Sequence, residues 1–355
     1  MTWPGAQLGH HWSKEKSGKG DREMKKILFI TTGGTIASAP GKEGLAPAQS
    51  GEDLLQAVPG LARLCHIDIR PLLNMDSSNM QPENWVTIAE AAFLALDNYD
   101  GVVIAHGTDT MAYTAAALSF MLQKIKKPVI LTGSQIPMGE AGSDAPGNIY
   151  DAFCVACDSI PGVYVVFGGK VIRGCRASKI HTRDFQAFAS INCSEVARVK
   201  AGQITYRQRP TQLAAGSPSL NTSLCPQVAL LKLIPGTRPE LLTAIKDLGY
   251  RGLVIEAFGL GGVPFQGRNL LPGLEELVTA GLAVAITSQC LWGEADLSVY
   301  EVGRKALKTG VIPAYDMATE ALVAKLMWAL GQGDDLEEVT RIMLTNYAGE
   351  IGLPG

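Results

Sequence analysis

Four uninterrupted apolar runs, KKILFI, GVVIAH, KPVILTG and GVYVVFGG, recur from Met24 onward, each closed by glycines or hydroxyl residues. A strand that is apolar at nearly every position has no face for water. Both of its sides must be covered, and helices packed on the two faces of a parallel sheet supply that cover. The intervening text agrees: in QPENWVTIAEAAFLALDNY, Pro82 suits a first helical turn, and Trp85, Ile88, Ala89, Ala92 and Leu96 share one face at helical spacing. That stripe reads as core.

The same pattern restarts near residue 228, with QVALLKLIPG, RGLVIEAFG and LAVAITSQC as strands and RPELLTAIKDLG and EALVAKLMWALG as helices. Between the two patterns, residues 207–227 read RQRPTQLAAGSPSLNTSLCPQ, rich in Pro, Ser, Thr and Gln and without a period, as in a linker. The expected fold class is α/β: a larger N-terminal parallel-sheet domain over 24–206, the linker 207–227, and a smaller C-terminal α/β domain over 228–355. A length of 355 residues allows two such cores. The polar stretch 1–23 reads as a disordered leader or as a mis-assigned start ahead of Met24.

Charge narrows the partners. The net charge is −3 without blocks of one sign, so neither nucleic acid nor an anionic membrane finds a footprint, and a small molecule is the expected ligand. No run of 18 apolar residues occurs and the leader lacks the apolar core of a signal peptide, which predicts a cytoplasmic protein. Seven cysteines, an odd number, read as reduced thiols. Cys154 and Cys157 lie in a helical segment with no second pair or paired histidines to complete a metal site, so core packing is the expectation for them.

In open α/β sheets the ligand site lies beyond the carboxyl ends of the strands. Those ends are unusually polar here: Thr31, Thr32, Gly33, Gly34 and Thr35 after the first strand, His106, Thr108, Asp109 and Thr110 after the second, Ser134 and Gln135 after the third. TTGGT also fits a capped strand-to-helix turn, and Asp109 or Thr110 fits the N-cap of MAYTAAALSFMLQ. Neither GxGxxG nor GxxxxGK[ST] is present, so a phosphate cradle has little specific support. Acyl transfer needs a nucleophile, a proton acceptor and oxyanion donors. With few core histidines, a set of threonine hydroxyls, a lysine and a carboxylate is a workable substitute, and Lys179 in RASK is a candidate, with a solvated surface lysine as the plain alternative.

TTGGTIAS and HGTDTMAYTAAALSFML resemble the two signature motifs of the bacterial-type L-asparaginase family, and MDSSNMQPENW and TGSQIP between and after them are similar to its cytoplasmic type I members. The resemblance runs from about Met24 to the end. It implies an asparaginase-like two-domain fold and an L-asparagine amidohydrolase that needs neither metal nor organic cofactor, with L-glutamine as an open second substrate. By the same resemblance Thr35 is the nucleophile, Thr108 and Lys179 move a proton, and Asp109 holds the substrate's α-ammonium. Ser77, flanked by Asp76 and Ser78, helps bind the α-carboxylate, and Ser134 matches the small residue near the scissile amide.

Departures from the family pattern are equally readable. The loop tyrosine that supports the nucleophile has no counterpart in EGLAPAQSGEDLL, which offers Leu45, and an inter-subunit asparagine or glutamate is matched by Gly262. The segment SAPGKEGLAPAQSG, 38–51, has the Gly/Pro/Ser composition of a mobile lid, with an ordinary surface loop as the plain alternative. Some type I members carry a regulatory second asparagine site whose cysteine matches Cys290, but whose arginine matches Glu256. The family also implies a homodimer or homotetramer. Two other functions compete: a tRNA-dependent amidotransferase component, which would need a further N-terminal domain where this chain has 23 polar residues, and a non-catalytic amino-acid-binding module, against which Thr35, Thr108, Asp109 and Lys179 together argue.

Overall fold

The computed structural model describes residues 24–34, 36, 38–41, 44–47, 50–211 and 216–352, with backbone alone for 38–41 and 44–47. The leader 1–23 and Thr35 lie outside the described residues. The first half begins with β1 (Lys26–Gly33), the antiparallel hairpin β2 (Ser38–Gly41) and β3 (Gly44–Pro47) in the segment expected to be a lid, and α1 (Gly51–Gln56). Next come β4 (His66–Met75), α2 (Pro82–Ala95), β5 (Gly101–Ala105), α3 (Met111–Met121), β6 (Leu122–Gln123), β7 (Pro128–Thr132) and α4 (Ala145–Cys157). Six further strands follow: β8 (Gly162–Phe167), β9 (Lys170–Arg173), β10 (Ala177–Lys179), β11 (Phe188–Ser190), β12 (Ala197–Lys200) and β13 (Gln203–Tyr206).

The main sheet runs β13-β12-β9-β8-β7-β5-β1-β4. The four strands anticipated from their apolar runs, β1, β5, β7 and β8, are its parallel centre, and each is buried nearly end to end. Alternate residues feed opposite faces. Leu28, Ile30, Val102, Ile104, Val129 and Leu131 pack with α2 and α3, whereas Ile27, Phe29, Val103 and Ile130 pack with α1 and α4. Trp85, Ile88, Ala89 and Ala92 of α2 are buried in the first of these layers, and Leu96 packs against it half-buried. β4 joins parallel to β1 on one edge; β9, β12 and β13 extend the other edge antiparallel. Because β4 follows β1 on one side and β5 lies on the other, the strand order reverses between β1 and β5, the place in such sheets where a ligand crevice is expected at the carboxyl ends.

The second half begins with β14 (Ser219–Leu220), which pairs with β6, inside the stretch expected to be a linker. Asn221 and Cys225 continue the docking, accepting from Trp328 Nε1 and donating to the Met327 carbonyl respectively. There follow β15 (Val228–Lys232), α5 (Glu240–Asp247), β16 (Gly252–Ala257), α6 (Leu271–Thr279), β17 (Ala283–Ser288), α7 (Glu301–Leu307), β18 (Ile312–Pro313), α8 (Thr319–Leu330) and α9 (Leu336–Leu344). β15 to β18 form a parallel four-stranded sheet in that order. α5 and α6 cover one face; α8 covers the other and packs on α3 of the first half, stacking Trp328 on Phe120. The two halves therefore share one continuous apolar layer.

Candidate active site

The carboxyl ends of β1, β4 and β5 are tied together by hydrogen bonds to backbone carbonyls. A register shift in β1 between Thr31 and Gly33 lets Gly34 N donate to the Met75 carbonyl at 2.9 Å, while Thr32 Oγ1 donates to the Ala105 carbonyl at 2.9 Å. Thr31 and Thr32 are thus buried, and Gly34 and Ile36, either side of Thr35, sit at the strand's mouth, Ile36 anchored in the apolar layer. Asp76 caps a short turn over Ser77–Asn79, accepting from Ser78 N at 2.8 Å and from the Ser78 hydroxyl. Ser77 is buried beneath it and faces the HGTDT segment: its Oγ accepts from Asp109 N at 3.3 Å, and its carbonyl accepts from Thr110 Oγ1 at 2.8 Å.

Thr110 does occupy the N-cap position of α3, but its hydroxyl is committed to Ser77 and makes no capping bond. The simple capping account of HGTDT therefore fails for Thr110. Asp109 instead meets Lys179: Nζ lies 2.6 Å from Asp109 Oδ1 and 2.7 Å from Thr108 Oγ1. The Lys179 side chain is only 17% exposed, so it is not a solvated surface lysine, whereas Asp109 keeps 61% of its side chain open to the crevice and to water. Thr108 is buried. An ammonium so placed can hold charge on a hydroxyl oxygen while its counter-ion stays accessible to a second cation.

His106, directly before this cluster, is fully buried. A carbonyl can only accept, so the 2.7 Å contact with the Gly107 oxygen places the proton on Nδ1, and Nε2 accepts from Thr114 Oγ1 at 2.9 Å. Burial pushes this imidazole down to about 4, against the pull of the Gly107 hydrogen bond. His106 is thus a neutral strut rather than a base.

At the end of β7, Ser134 is fully buried, and among the described residues its Oγ has no hydrogen-bond partner. Gln135, noted in the sequence only as a strand-end polar residue, carries more of the site than its spacing suggested. Its Oε1 accepts from Thr108 Oγ1 at 3.4 Å, its Nε2 donates to the Asp184 carbonyl at 3.2 Å, and its backbone N–H is held by the Asp144 carboxylate. Asp144, which also receives Ile136 N and Asn148 Nδ2, was invisible as a site residue because its partners lie on its own loop and helix. Thr108, Asp109, Ser77, Lys179 and Gln135 are joined by direct hydrogen bonds. The Leu45 side chain lies outside the described residues.

Cys290 is placed elsewhere. It lines a cavity of about 250 Å³ between the two halves, together with Tyr113, Ser178, Glu256 and Glu320. Glu256 there accepts from Thr319 Oγ1 at 2.8 Å and faces Lys232 at 3.5 Å. Gly262 forms a bridge with Phe258 at the end of β16. Among the described residues no group of three or more His, Cys, Asp or Glu side chains could hold a metal ion, and no helix is long and apolar enough to cross a membrane.

Comparison with known proteins places the chain in a family. Residues 26–212 match the model of the asparaginase N-terminal domain, and residues 227–343 match the glutaminase/asparaginase C-terminal domain. An L-asparaginase of Thermococcus kodakarensis is 47% identical over 328 residues, covering 92% of this chain and 99% of its own. A glutamyl-tRNA(Gln) amidotransferase chain of Pyrococcus furiosus is 42% identical over 342 residues, covering 93% of this chain and 77% of its own. The solved structure of the thermostable Thermococcus kodakarensis L-asparaginase superposes with a TM-score of 0.87 over 93% of this chain and all of that one. L-asparaginase I from Vibrio cholerae, 32% identical, superposes with a TM-score of 0.81 over 93% of this chain and all of that one. With both family domains matched in order across the two sheets, the chain belongs to the asparaginase family.

Proposed function

We propose that this chain is an L-asparagine amidohydrolase, releasing L-aspartate and ammonia. The observation that carries the reading is Lys179 Nζ held between Thr108 Oγ1 and Asp109 Oδ1, at 2.7 and 2.6 Å. Thr35 is proposed as the nucleophile, on the family resemblance and its position in the sequence directly after Gly34. Its oxygen attacks the side-chain carbonyl carbon, the C–N bond breaks, ammonia leaves with the nucleophile's proton, and a β-aspartyl ester remains. Water then adds to that ester; its proton passes to the Thr108 oxygen as the Thr108 hydroxyl gives its own proton to the departing Thr35 oxygen, the Lys179 ammonium holding the charge that builds on Thr108 during the relay. Backbone N–H groups at the head of α3 favour the developing oxyanion, and one such donor lowers a barrier by about 3 kcal/mol.

The same geometry supports a reading of substrate binding. The exposed Asp109 carboxylate suits an α-ammonium, Ser77 with Asp76 and Ser78 suits the α-carboxylate end, and the buried Ser134 hydroxyl, without a partner among the described residues, suits a polar group of the amide. We assign residues 24–206 as the catalytic part and 228–355 as its C-terminal partner, joined by 207–227, and propose a cytoplasmic homodimer or homotetramer. L-glutamine is the second substrate to be tried, and Cys290 with its cavity is the candidate for regulation by asparagine.

The test is ammonia release from L-asparagine by purified protein without ATP or tRNA. Release under those conditions, abolished by Thr35→Ala, supports the hydrolase. Turnover only with charged tRNA and ATP favours the amidotransferase reading that the 42% identical Pyrococcus furiosus chain represents. Tight asparagine binding without any ammonia would leave a binding module.

A further inference from the structure

β10, the strand that delivers Lys179, is three residues long and, among the described residues, pairs with β11 alone, with Ala177, Ser178 and Lys179 opposite Ser190, Ala189 and Phe188. A two-stranded ribbon of that length is marginal by itself. Its neighbours in sequence are instead pinned by the second half of the chain. Arg176, buried just before β10, donates through Nε to the Gly349 carbonyl at 2.7 Å and through Nη1 to both the carbonyl and Oδ2 of Asp316 at 2.9 Å. Within the strand, alternation turns Ser178 away from Lys179. Ser178 Oγ lies 2.6 Å from Oε1 of Glu320, the second residue of α8.

We propose that Ser178 and Glu320 are positioning residues for Lys179: their hydrogen bond, crossing from the second half of the chain to the first, fixes the height and twist of β10 so that the ammonium reaches Thr108 and Asp109 together. The proposal rests on the reading of Lys179 as a proton-transfer group. Neither Ser178 nor Glu320 touches the crevice cluster, and their influence passes through the backbone of one residue. α8 also packs on α3, at whose head Thr108 and Asp109 sit, so one helix braces both sides of the contact. The titratable groups that line the cavity with Glu320 are Glu256 of β16, Lys232 of β15, Tyr113 of α3 and Cys290. Burial raises the Glu320 carboxyl, the Ser178 hydrogen bond works against that, and the Glu256 charge adds to the rise.

Misplacing a reacting group by about 1 Å costs on the order of 100-fold in rate. Ser178→Ala and Glu320→Ala are therefore expected to lower kcat for asparagine by about 10- to 100-fold, with KM held within about twofold, since the substrate contacts stay intact. Glu320→Gln keeps an oxygen acceptor for Ser178 and should recover most of the rate. Crystal structures of the alanine variants supply a readout independent of turnover: the Lys179 ammonium should leave hydrogen-bond reach of Thr108 Oγ1. Wild-type kcat in both alanine variants overturns the proposal. So does a loss that merely follows the folded fraction while Lys179 stays in place. Should the wild-type protein release no ammonia from any amide, the hydrolase reading falls and the crystallographic position of Lys179 alone decides the positioning role.

Discussion

Gly34, at the end of β1, and Gly107, just after β5, meet backbone to backbone: a Cβ on Gly34 would lie 2.4 Å from the Gly107 Cα. The two central strands can converge at the strand-order reversal only because neither residue has a side chain. Gly34 also holds φ at 81°, a conformation that costs an L-residue about 1–2 kcal/mol. Gly34→Ala is expected to lose about 3 kcal/mol or more of stability in urea unfolding and to abolish ammonia release. An alanine variant of native stability would show that the strand ends part freely.

His106 makes a pH prediction with a definite sign. Its imidazole is held near 4 by burial, while the unfolded chain protonates near the ordinary value of about 6.5. Between those values the unfolded state binds more protons, so stability falls as pH drops through the window. Asp151 acts oppositely: burial raises its carboxyl to about 6, the folded form binds that proton more tightly, and stability falls as pH rises toward 6. Comparing wild type with His106→Gln separates the two. The variant should lose a slope of at most about 1.4 kcal/mol per pH unit between 4 and 6.5; parallel stability curves would exclude His106 as its source.

Lys325 and Glu350 form an ion pair at 2.6 Å with both side chains 0% exposed. The lysine also donates to the carbonyls of Met343 and Thr345, and the carboxylate accepts from Tyr347 N and Ala348 N, so the pair ties α8 to the tail that holds Arg176. Breaking one side of such a pair costs about 3–5 kcal/mol, because the other charge stays buried. Lys325→Met alone should show that loss, and the double variant Lys325→Met, Glu350→Gln less than the sum of the singles. Additive losses in the double-mutant cycle would contradict a coupled pair.

What was legible in the sequence follows the physics of each element. β1, β5, β7 and β8 announced themselves because burial on both faces makes a strand apolar throughout. β4, HIDIRPLLNM, did not: as an edge strand it keeps Asp68 and Arg70 exposed and tolerates Pro71, so its text looks like loop. The antiparallel β9, β12 and β13 are four residues each, too short to carry a period. The hydroxyl clusters at the strand ends were visible because polar residues there have few structural uses. Lys179 was a candidate from the residues alone, with a solvated lysine as the alternative, and only the family resemblance tied it to Thr108, which lies 71 residues away in the chain. Glu320, 142 residues from Ser178, had no local signal at all.

The account turns on Lys179 acting with Thr108 as the unit that moves a proton during amide hydrolysis. Its most direct test is ammonia release by Lys179→Met at saturating L-asparagine, with L-aspartate binding measured on the same preparation by calorimetry. The account predicts a kcat lowered by on the order of 1,000-fold and aspartate binding within about tenfold of wild type. A folded Lys179→Met protein that releases ammonia at the wild-type rate would contradict it.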